Sequence, residues 1–579
     1  MTRPFAGLVA AAGRSPDDIA AITFIDVALV MVAARLTGAA FKRIRQPAVV
    51  GEIVAGILLG PSLLGAFPGH LTDRIFPSDI VPYLNDLAQL GLVIFMFIVG
   101  LELDSNLMRG RARLAASVSL TSIMLPFALG IGLALGLHGS HHLVRGPAGV
   151  VHDVKLLPFV LFIGASMSVT AFPVLARILT ERGMYRTPLG AIALACAAVD
   201  DVAAWTLLAV VLAVVSSSHL LHVPVVLVET AAFVAAMLLL VRPALGRVID
   251  HYRARDRGHG DGSVSPELMT VMLLGILVSS FVTERIGIHQ IFGAFIFGVA
   301  VPRQTGGRLV AGVVERLESL TVLLLLPVFF VVSGLNANVR AIGASGLGQL
   351  ALILLVAIGG KFLGASLAAR ANRMPGRRAA ALGVLMNTRG LTELVILNVG
   401  QSFGVLDRQL FTLLVVMAVV TTMMTEPLLR LVYPDRLLHA DLADAERAAL
   451  GDPGYRVLAL VDDPDGAAAL IDVAADLASS AGSGLGTVVV SHFVLRQSER
   501  LFGAGMSVEL AQMADLLERL STACQHRPGQ VFQPAALFTD DIAGESLRQA
   551  VRLHSDVVVL PWPGPQWHPF SGSGSGSGS

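Results

Sequence analysis

About thirteen stretches of roughly twenty mostly apolar residues follow one another between residues 20 and 432. They fall at 20–40, 47–66, 85–103, 112–137, 156–180, 188–216, 223–243, 267–283, 287–302, 317–336, 346–370, 378–401 and 408–432. A helix rises about 1.5 Å per residue, so each stretch matches the hydrocarbon thickness of a bilayer. Within that layer the backbone has no water to bond and must satisfy its own polar groups, as a helix does. With 54% hydrophobic and 15% charged residues and a mean hydropathy of +0.72, a water-soluble fold would have nowhere to place this apolar surface. The expected fold is an all-α polytopic membrane protein of about thirteen transmembrane helices.

Loop charge sets the orientation. The loops after odd-numbered stretches hold Lys42, Arg43 and Arg45, then Arg109, Arg111 and Arg113, then the basic runs 242–257 and 370–378. They carry about 21 Lys plus Arg, against about 6 after even-numbered stretches. Basic loops stay inside, so a cell-membrane protein is expected with its N-terminus outside and its C-terminal part in the cytoplasm, which an odd span count permits. The N-terminal MTRPFAGLVAAAG has an apolar core of only about eight residues, short for a cleaved signal. A net charge of zero with scattered basic residues excludes a nucleic-acid face. Cys196 and Cys524 offer neither metal spacing nor a disulfide framework.

Past Pro434 the pattern changes. YRVLALV, GTVVVSHFV, FQPAALF and DVVVLPW read as short buried strands separated by helix-length segments, as in a parallel α/β layer. The expected organisation is a transmembrane domain over 1–436, a small cytoplasmic α/β domain over 437–570, and a linker-like tail SGSGSGSGS over 571–579.

Against this apolar background AAVDDVAAW stands out: Asp200 and Asp201 are the charges of an otherwise uncharged stretch from Pro188 to Val215. A mid-membrane Asp costs about 2.5–3.5 kcal/mol, a cost that marks function. Adjacent helical residues point about 100° apart, so one can face a fixed partner and the other a cavity. A partner is visible in LLVAIGGKFLGASLAAR. The chain's three lysines are Lys42, Lys155 and Lys361, and Lys361 alone lies deep in a stretch. Lysine, unlike arginine, can give up its proton when buried.

Two further stretches are interrupted. The fifth reads GASMSVTAFPVLARIL, with Ser166, Ser168 and Thr170 ahead of Pro173, whose ring and missing N–H break the hydrogen-bond ladder. The twelfth reads GVLMNTRGLTELVILNVG, with Asn387, Thr388, Arg389, Gly390 and Glu393 near its middle. Both are expected to unwind at mid-membrane and cross. Seven positions separate the two stretches, an odd offset that gives opposite orientation, as an inverted repeat requires. Carbonyls and helix ends beside a carboxylate make a cation site, the design of a transporter.

These segments also carry a family resemblance. QPAVVGEIVAGILLGPSLLG, GLVIFMFIVGLELD, SVTAFPVLARIL, AAVDDVAAW, LLPVFFVVSGLNANV and MNTRGLTELVILNVG, in this order, resemble the monovalent cation:proton antiporters of the CHX and Kef branch. The resemblance implies a homodimer of thirteen-span protomers, each with a dimerisation part and a mobile ion-carrying core that works as an elevator. It places the ion-binding aspartate on Asp201 and its companion on Asp200, with Thr170 and Ser168 lining the site from the first broken helix and Glu393 a core carboxylate of the second. Many relatives of this branch have Asn or Gln where Asp200 stands. The paired aspartates with Lys361 resemble instead the electrogenic sodium/proton exchangers. The tail resembles universal-stress-protein-like domains, some of which bind nucleotides; after VVVLPW, however, PGPQWHPF offers no glycine-rich phosphate loop, and GxGxxG is absent.

The expected function is therefore exchange of K⁺ or Na⁺ for protons, with more than one proton per cation and no cofactor or metal beyond the transported cation. The alternatives are a cation channel or a solute/cation symporter on the same broken-helix core. An intramembrane hydrolase would carry its carboxylates on facing helices rather than at adjacent positions. His138, His141, His142 and His152 read as solvated loop histidines rather than a metal site, Glu102 and Asp104 as entrance or capping charges, and Asp26 has no partner in the sequence.

Overall fold

A computed structural model of the chain describes residues 15–44, 46–67, 71–102, 112–145, 151–184, 187–216, 223–256, 266–302, 307–438, 440–441, 455–463, 466–480, 487–495, 516–524, 531–539, 541–553 and 555–561. They divide into two compact units, the first ending just past Asp441 and the second holding the α/β tail.

The first unit is helical: α1 Pro16–Arg43, α2 Ala48–Leu59, α3 Leu71–Ile75, α4 Val81–Glu102, α5 Ala112–His141, α6 Leu156–Ser168, α7 Phe172–Glu181, α8 Pro188–Ser216, α9 Val223–Ala236, α10 Arg242–Asp256, α11 Pro266–Ile286, α12 Gln290–Ala300, α13 Gly307–Leu320, α14 Leu326–Leu335, α15 Ala344–Ala371, α16 Gly376–Met386, α17 Leu391–Ser402 and α18 Arg408–Val432. A short antiparallel pair, β1 Leu143–Arg145 and β2 Val151–Asp153, joins α5 to α6. Wide turns at Met237–Val241 and Thr321–Leu325 run α9 into α10 and α13 into α14 without a break.

Among the described residues, eleven helical segments are long and apolar enough to cross a membrane. The ninth stretch of the sequence shrinks to the eleven residues of α12, capped by the His289 side chain at its start and ended at Val301 before Pro302. The twelfth is split into α16 and α17.

Two bundles emerge from the packing. In one, α1, α2, α4, α11, α12 and α14 lie against one another; in the other, α5 packs on α6, α8 and α15, with α16, α17 and α18 completing it. The first is held very closely. A Cβ on Gly56 of α2 would fall 2.2 Å from the carbonyl oxygen of Val331 on α14, so the two backbones touch and only glycine fits. The second bundle contains both interrupted stretches and the aspartate pair.

In the second unit β3 Arg456–Val461, β4 Thr487–Leu495, β5 Val531–Thr539 and β6 Val557–Val559 form an all-parallel sheet in the order β5-β4-β3-β6. Alternate residues of β3 enter different cores. Val457, Ala459 and Val461 pack with Ile471, Ala474 and Ala478, whereas Leu458 and Leu460 pack with Val489 and Leu553. Burial on both faces explains why the strands read as continuous apolar runs. PGPQWHPF and SGSGSGSGS lie outside the described residues. Asp441, which bonds to Tyr433 and Arg378, groups with the first unit.

Candidate ion-binding site

The site is built where two helices stop. α6 ends at Ser168 and α7 begins at Phe172, leaving Val169–Ala171 outside helix with Val169 extended; α16 ends at Met386 and α17 begins at Leu391, leaving 387–390 unwound. Pro173 is not the breaking residue. As second residue of α7 it occupies a first-turn position whose N–H has no helical partner to lose. The interruptions cross and bond: the Ala171 N–H donates to the Thr388 carbonyl at 3.1 Å. Gly390 permits the crossing, since a Cβ there would lie 2.5 Å from Cγ2 of Val174.

The inner ends of α6 and α7 each have a partner of suitable sign. The carbonyls of Ser166 and Met167, at the partially negative end of α6, accept from the two Nη atoms of Arg389 at 2.7 Å each. Arg389 Nη1 also lies 2.8 Å from Glu393 Oε2, and the Ser166 hydroxyl donates to Glu393 Oε1 at 2.7 Å. The Thr422 hydroxyl on α18 donates to the Arg389 carbonyl at 2.6 Å. At the partially positive start of α7, the Phe172 backbone N–H bonds to Asp201.

Asp200 and Lys361, both fully buried, meet at 3.1 Å. Lys361 Nζ also donates to Thr170 Oγ1 at 2.6 Å and to Ser122 Oγ at 3.3 Å, so its three N–H groups have three acceptors. The hydroxyls of Thr170 and Ser122 reach Asp200 Oδ2 at 2.8 and 3.3 Å. Thr170 thus sits on the Asp200 side of the aspartate pair, also within 3.1 Å of the Met386 carbonyl. Ser168 turns to the carbonyls of Gly164 and Ile123, and Thr388 to that of Leu385. The Asn387 side chain is buried, with Oδ1 unpartnered.

The charge inventory at the crossover follows. Lys361 balances Asp200 and Arg389 balances Glu393. Asp201 is 1% exposed, has no ion pair among the described residues, and keeps Oδ1 without a hydrogen-bond partner. One uncompensated carboxylate, in a place where a bare charge is expensive, requires a proton or a cation.

Sequence reasoning missed Ser122 and Thr422. The hydroxyl-dense SVSLTS on α5 was the available signal for Ser122, but most helical hydroxyls here, such as Thr206 and Thr230, bond only to the carbonyl one turn back. Ser122→Ala leaves one ammonium N–H without an acceptor, and is expected to lower stability by about 1–2 kcal/mol, read as a fall in melting temperature of the purified protein.

Of the histidines at the end of α5, His141 is shut away from solvent, whereas His138 and His142 are half-buried. His141 is buried between Asp407 Oδ2 at 2.8 Å and Gln349 Oε1 at 3.2 Å, and His138 bonds to the Val154 carbonyl, because the end of α5 packs against the starts of α15 and α18. No group of three or more metal-ligating side chains occurs among the described residues. Asp26 is buried in α1 with Oδ2 unpartnered. The Glu102 side chain, Asp104 and the His152 side chain lie outside the described residues.

Comparison with known proteins fits this geometry. Residues 28–431 match the family described as sodium/hydrogen exchanger, transmembrane. The chain belongs to the sodium/hydrogen exchanger family. Members of this family are transporters, not enzymes. The chain is 40% identical over 410 residues to the Na⁺/H⁺ antiporter NhaS4 of Synechocystis, covering 71% of this chain and 96% of that protein. It is 38% identical to cation/H⁺ antiporter 20 of Arabidopsis thaliana, over 78% of this chain and 53% of that one. It is 33% identical to K⁺/H⁺ antiporter 1 of Saccharomyces cerevisiae, over 73% and 47%. The chain therefore spans about half the length of the plant and yeast exchangers. Its fold resembles that of the sodium proton antiporter MjNhaP1 from Methanocaldococcus jannaschii, with a TM-score of 0.50 at 15% identity, covering 73% of this chain and 99% of that one.

Proposed function

We propose that this exchanger passes a monovalent cation, K⁺ or Na⁺, across the cell membrane in exchange for protons, with Asp201 as the shared site. The observation that carries the reading is the charge inventory: of the three acids at the crossover, Asp201 alone lacks a basic partner among the described residues. With Asp201 ionised, its carboxylate and the unwound carbonyls at the crossover hold a dehydrated cation. Protonation removes the charge and releases it. Competition of the two ions for one carboxylate is exchange.

Alternating access follows if the bundle holding the crossover moves against the bundle fixed by the α2–α14 contact, in the manner of an elevator. A homodimer formed through the fixed bundle, an N-terminus outside and a cytoplasmic α/β tail complete the reading. The end of α7 and the start of α16 meet beside the same end of α18, which supports the opposite orientation of the two broken helices. Dimer contacts of the tail are its proposed regulatory route, and it is proposed to act without a bound nucleotide.

Proteoliposomes loaded with a pH-sensitive dye test this. Adding Na⁺, K⁺, Li⁺ or Rb⁺ to vesicles with a preformed pH gradient is expected to dissipate it in a cation-selective order. Clamping the membrane potential is expected to change the rate, as more than one proton per cation requires. A gradient untouched by every cation overturns antiport and leaves a channel; a rate indifferent to potential removes only the stoichiometry.

A further inference from the structure

At the end of the mobile bundle where α7 stops, α16 starts and α18 stops, the chain after α18 gathers a set of ionic contacts that the ion site does not use. Arg182, just beyond α7, bonds through Nη2 to Asp435 Oδ1 at 2.8 Å, and its Nε lies 3.9 Å from Glu426 Oε1 on α18. Glu426 is also held by Arg430 at 2.9 Å. Arg378, in the first turn of α16, bonds through Nη2 to Asp441 Oδ1 at 2.5 Å. The Tyr433 hydroxyl donates to Asp441 Oδ2. Tyr433 is fully buried and Asp441 is 6% exposed, so this last pair is not a solvated surface bridge. Burial, and then the Asp441 carboxylate beside it, push the Tyr433 phenol up, which keeps it the donor.

α7 and α16 are the halves whose inner ends make the crossover: α7 offers the Phe172 N–H to Asp201, and α16 offers the Met386 carbonyl to Thr170. α7 and α16 are only ten and eleven residues long, so the far end of each lies about three turns from the crossover, and a bond at the far end adds to the packing that fixes the near end. We propose that the segment carrying Tyr433, Asp435 and Asp441 is a clamp that positions the far ends of α7 and α16 and thereby the ion site. Arg182, Arg378, Tyr433, Asp435 and Asp441 are positioning residues. Since the chain continues from Asp441 into the α/β tail, the clamp is also the point at which an event in the tail would reach the crossover, a consequence that separates it from a mere structural staple.

This inference rests on the exchange reading, and two measurements on the full-length protein keep them apart. In proteoliposomes, Asp441→Asn and Tyr433→Phe are expected to raise the half-saturating cation concentration roughly 3- to 10-fold, the effect of losing one charge-assisted hydrogen bond, with an unchanged amount of folded protein. The reversed pair Arg378→Asp with Asp441→Arg restores the ion pair but not the acceptor of the Tyr433 hydroxyl, so it is expected to recover to about the level of Tyr433→Phe, while either single reversal falls below it. Hydrogen exchange needs no transport: Asp441→Asn is expected to speed deuterium uptake in 172–181 and 376–386 and leave α2 and α14 unchanged. Parental half-saturation in both single variants, or a reversed pair no better than its singles, overturns the clamp. Parental deuterium uptake in both half-helices overturns it too, even if the parent protein moves no ions. A parent that moves no ions but shows the expected uptake pattern sinks the exchange reading and leaves the clamp standing.

Discussion

Vesicles carrying Asp201→Asn are expected to keep a preformed pH gradient when Na⁺ or K⁺ is added, with exchange at least about 100-fold slower than in the parent. The magnitude comes from the energetics of the site. Placing a monovalent charge at mid-membrane without a counter-charge costs about 3 kcal/mol, and each 1.36 kcal/mol is tenfold. Asparagine keeps the size and accepts the Phe172 N–H, so the half-helix start stays satisfied and the fold should persist. What it removes is the negative charge for which both ions compete. Asp200 does not take its place, because Lys361 already neutralises its charge, even though its Oδ1, like that of Asp201, has no hydrogen-bond partner. Cation-driven dissipation at the parental rate in Asp201→Asn vesicles would falsify the assignment.

Lys361→Met is expected to lower unfolding free energy by about 3–5 kcal/mol, because it strands the Asp200 carboxylate in a dry site. The double variant Asp200→Asn with Lys361→Met is expected to recover most of this, since a neutral pair carries no such penalty. The measurement is thermal or denaturant unfolding of the purified protein. The double variant serves a second purpose. If the Asp200–Lys361 unit carries a proton of its own, as the proposed stoichiometry needs, the double variant exchanges one cation for one proton and its rate ignores membrane potential. An unstable double variant would contradict the buried-pair account; a potential-sensitive one would move the second proton elsewhere.

The span pattern was legible because apolar length is a coarse and redundant signal that survives the loss of individual residues. Every expected stretch contains helix, although the ninth is too short to cross unaided. The aspartates and Lys361 were legible for a different reason: an isolated charge in an apolar run needs a partner, and this chain offers one buried lysine. What the sequence could not place was the side on which each hydroxyl falls. Thr170 was expected beside Asp201 and lies on Asp200, because the chain leaves the helix at the extended Val169 and the helical 100° step no longer sets where the next side chain falls. The role of Pro173 was misread for a related reason. A proline in an apolar run marks a nearby helix boundary without saying whether it ends one helix or opens the next. Ionic contacts between distant segments, such as Arg378 with Asp441, leave no local pattern at all.

The bond from the Ala171 N–H to the Thr388 carbonyl has an evolutionary corollary. Because the two interruptions are stitched main chain to main chain, lengthening either by a single residue would slip the register of both. Descendants of this chain should therefore vary freely in the loops joining other helices, yet preserve the residue count of these two gaps together or alter them in concert.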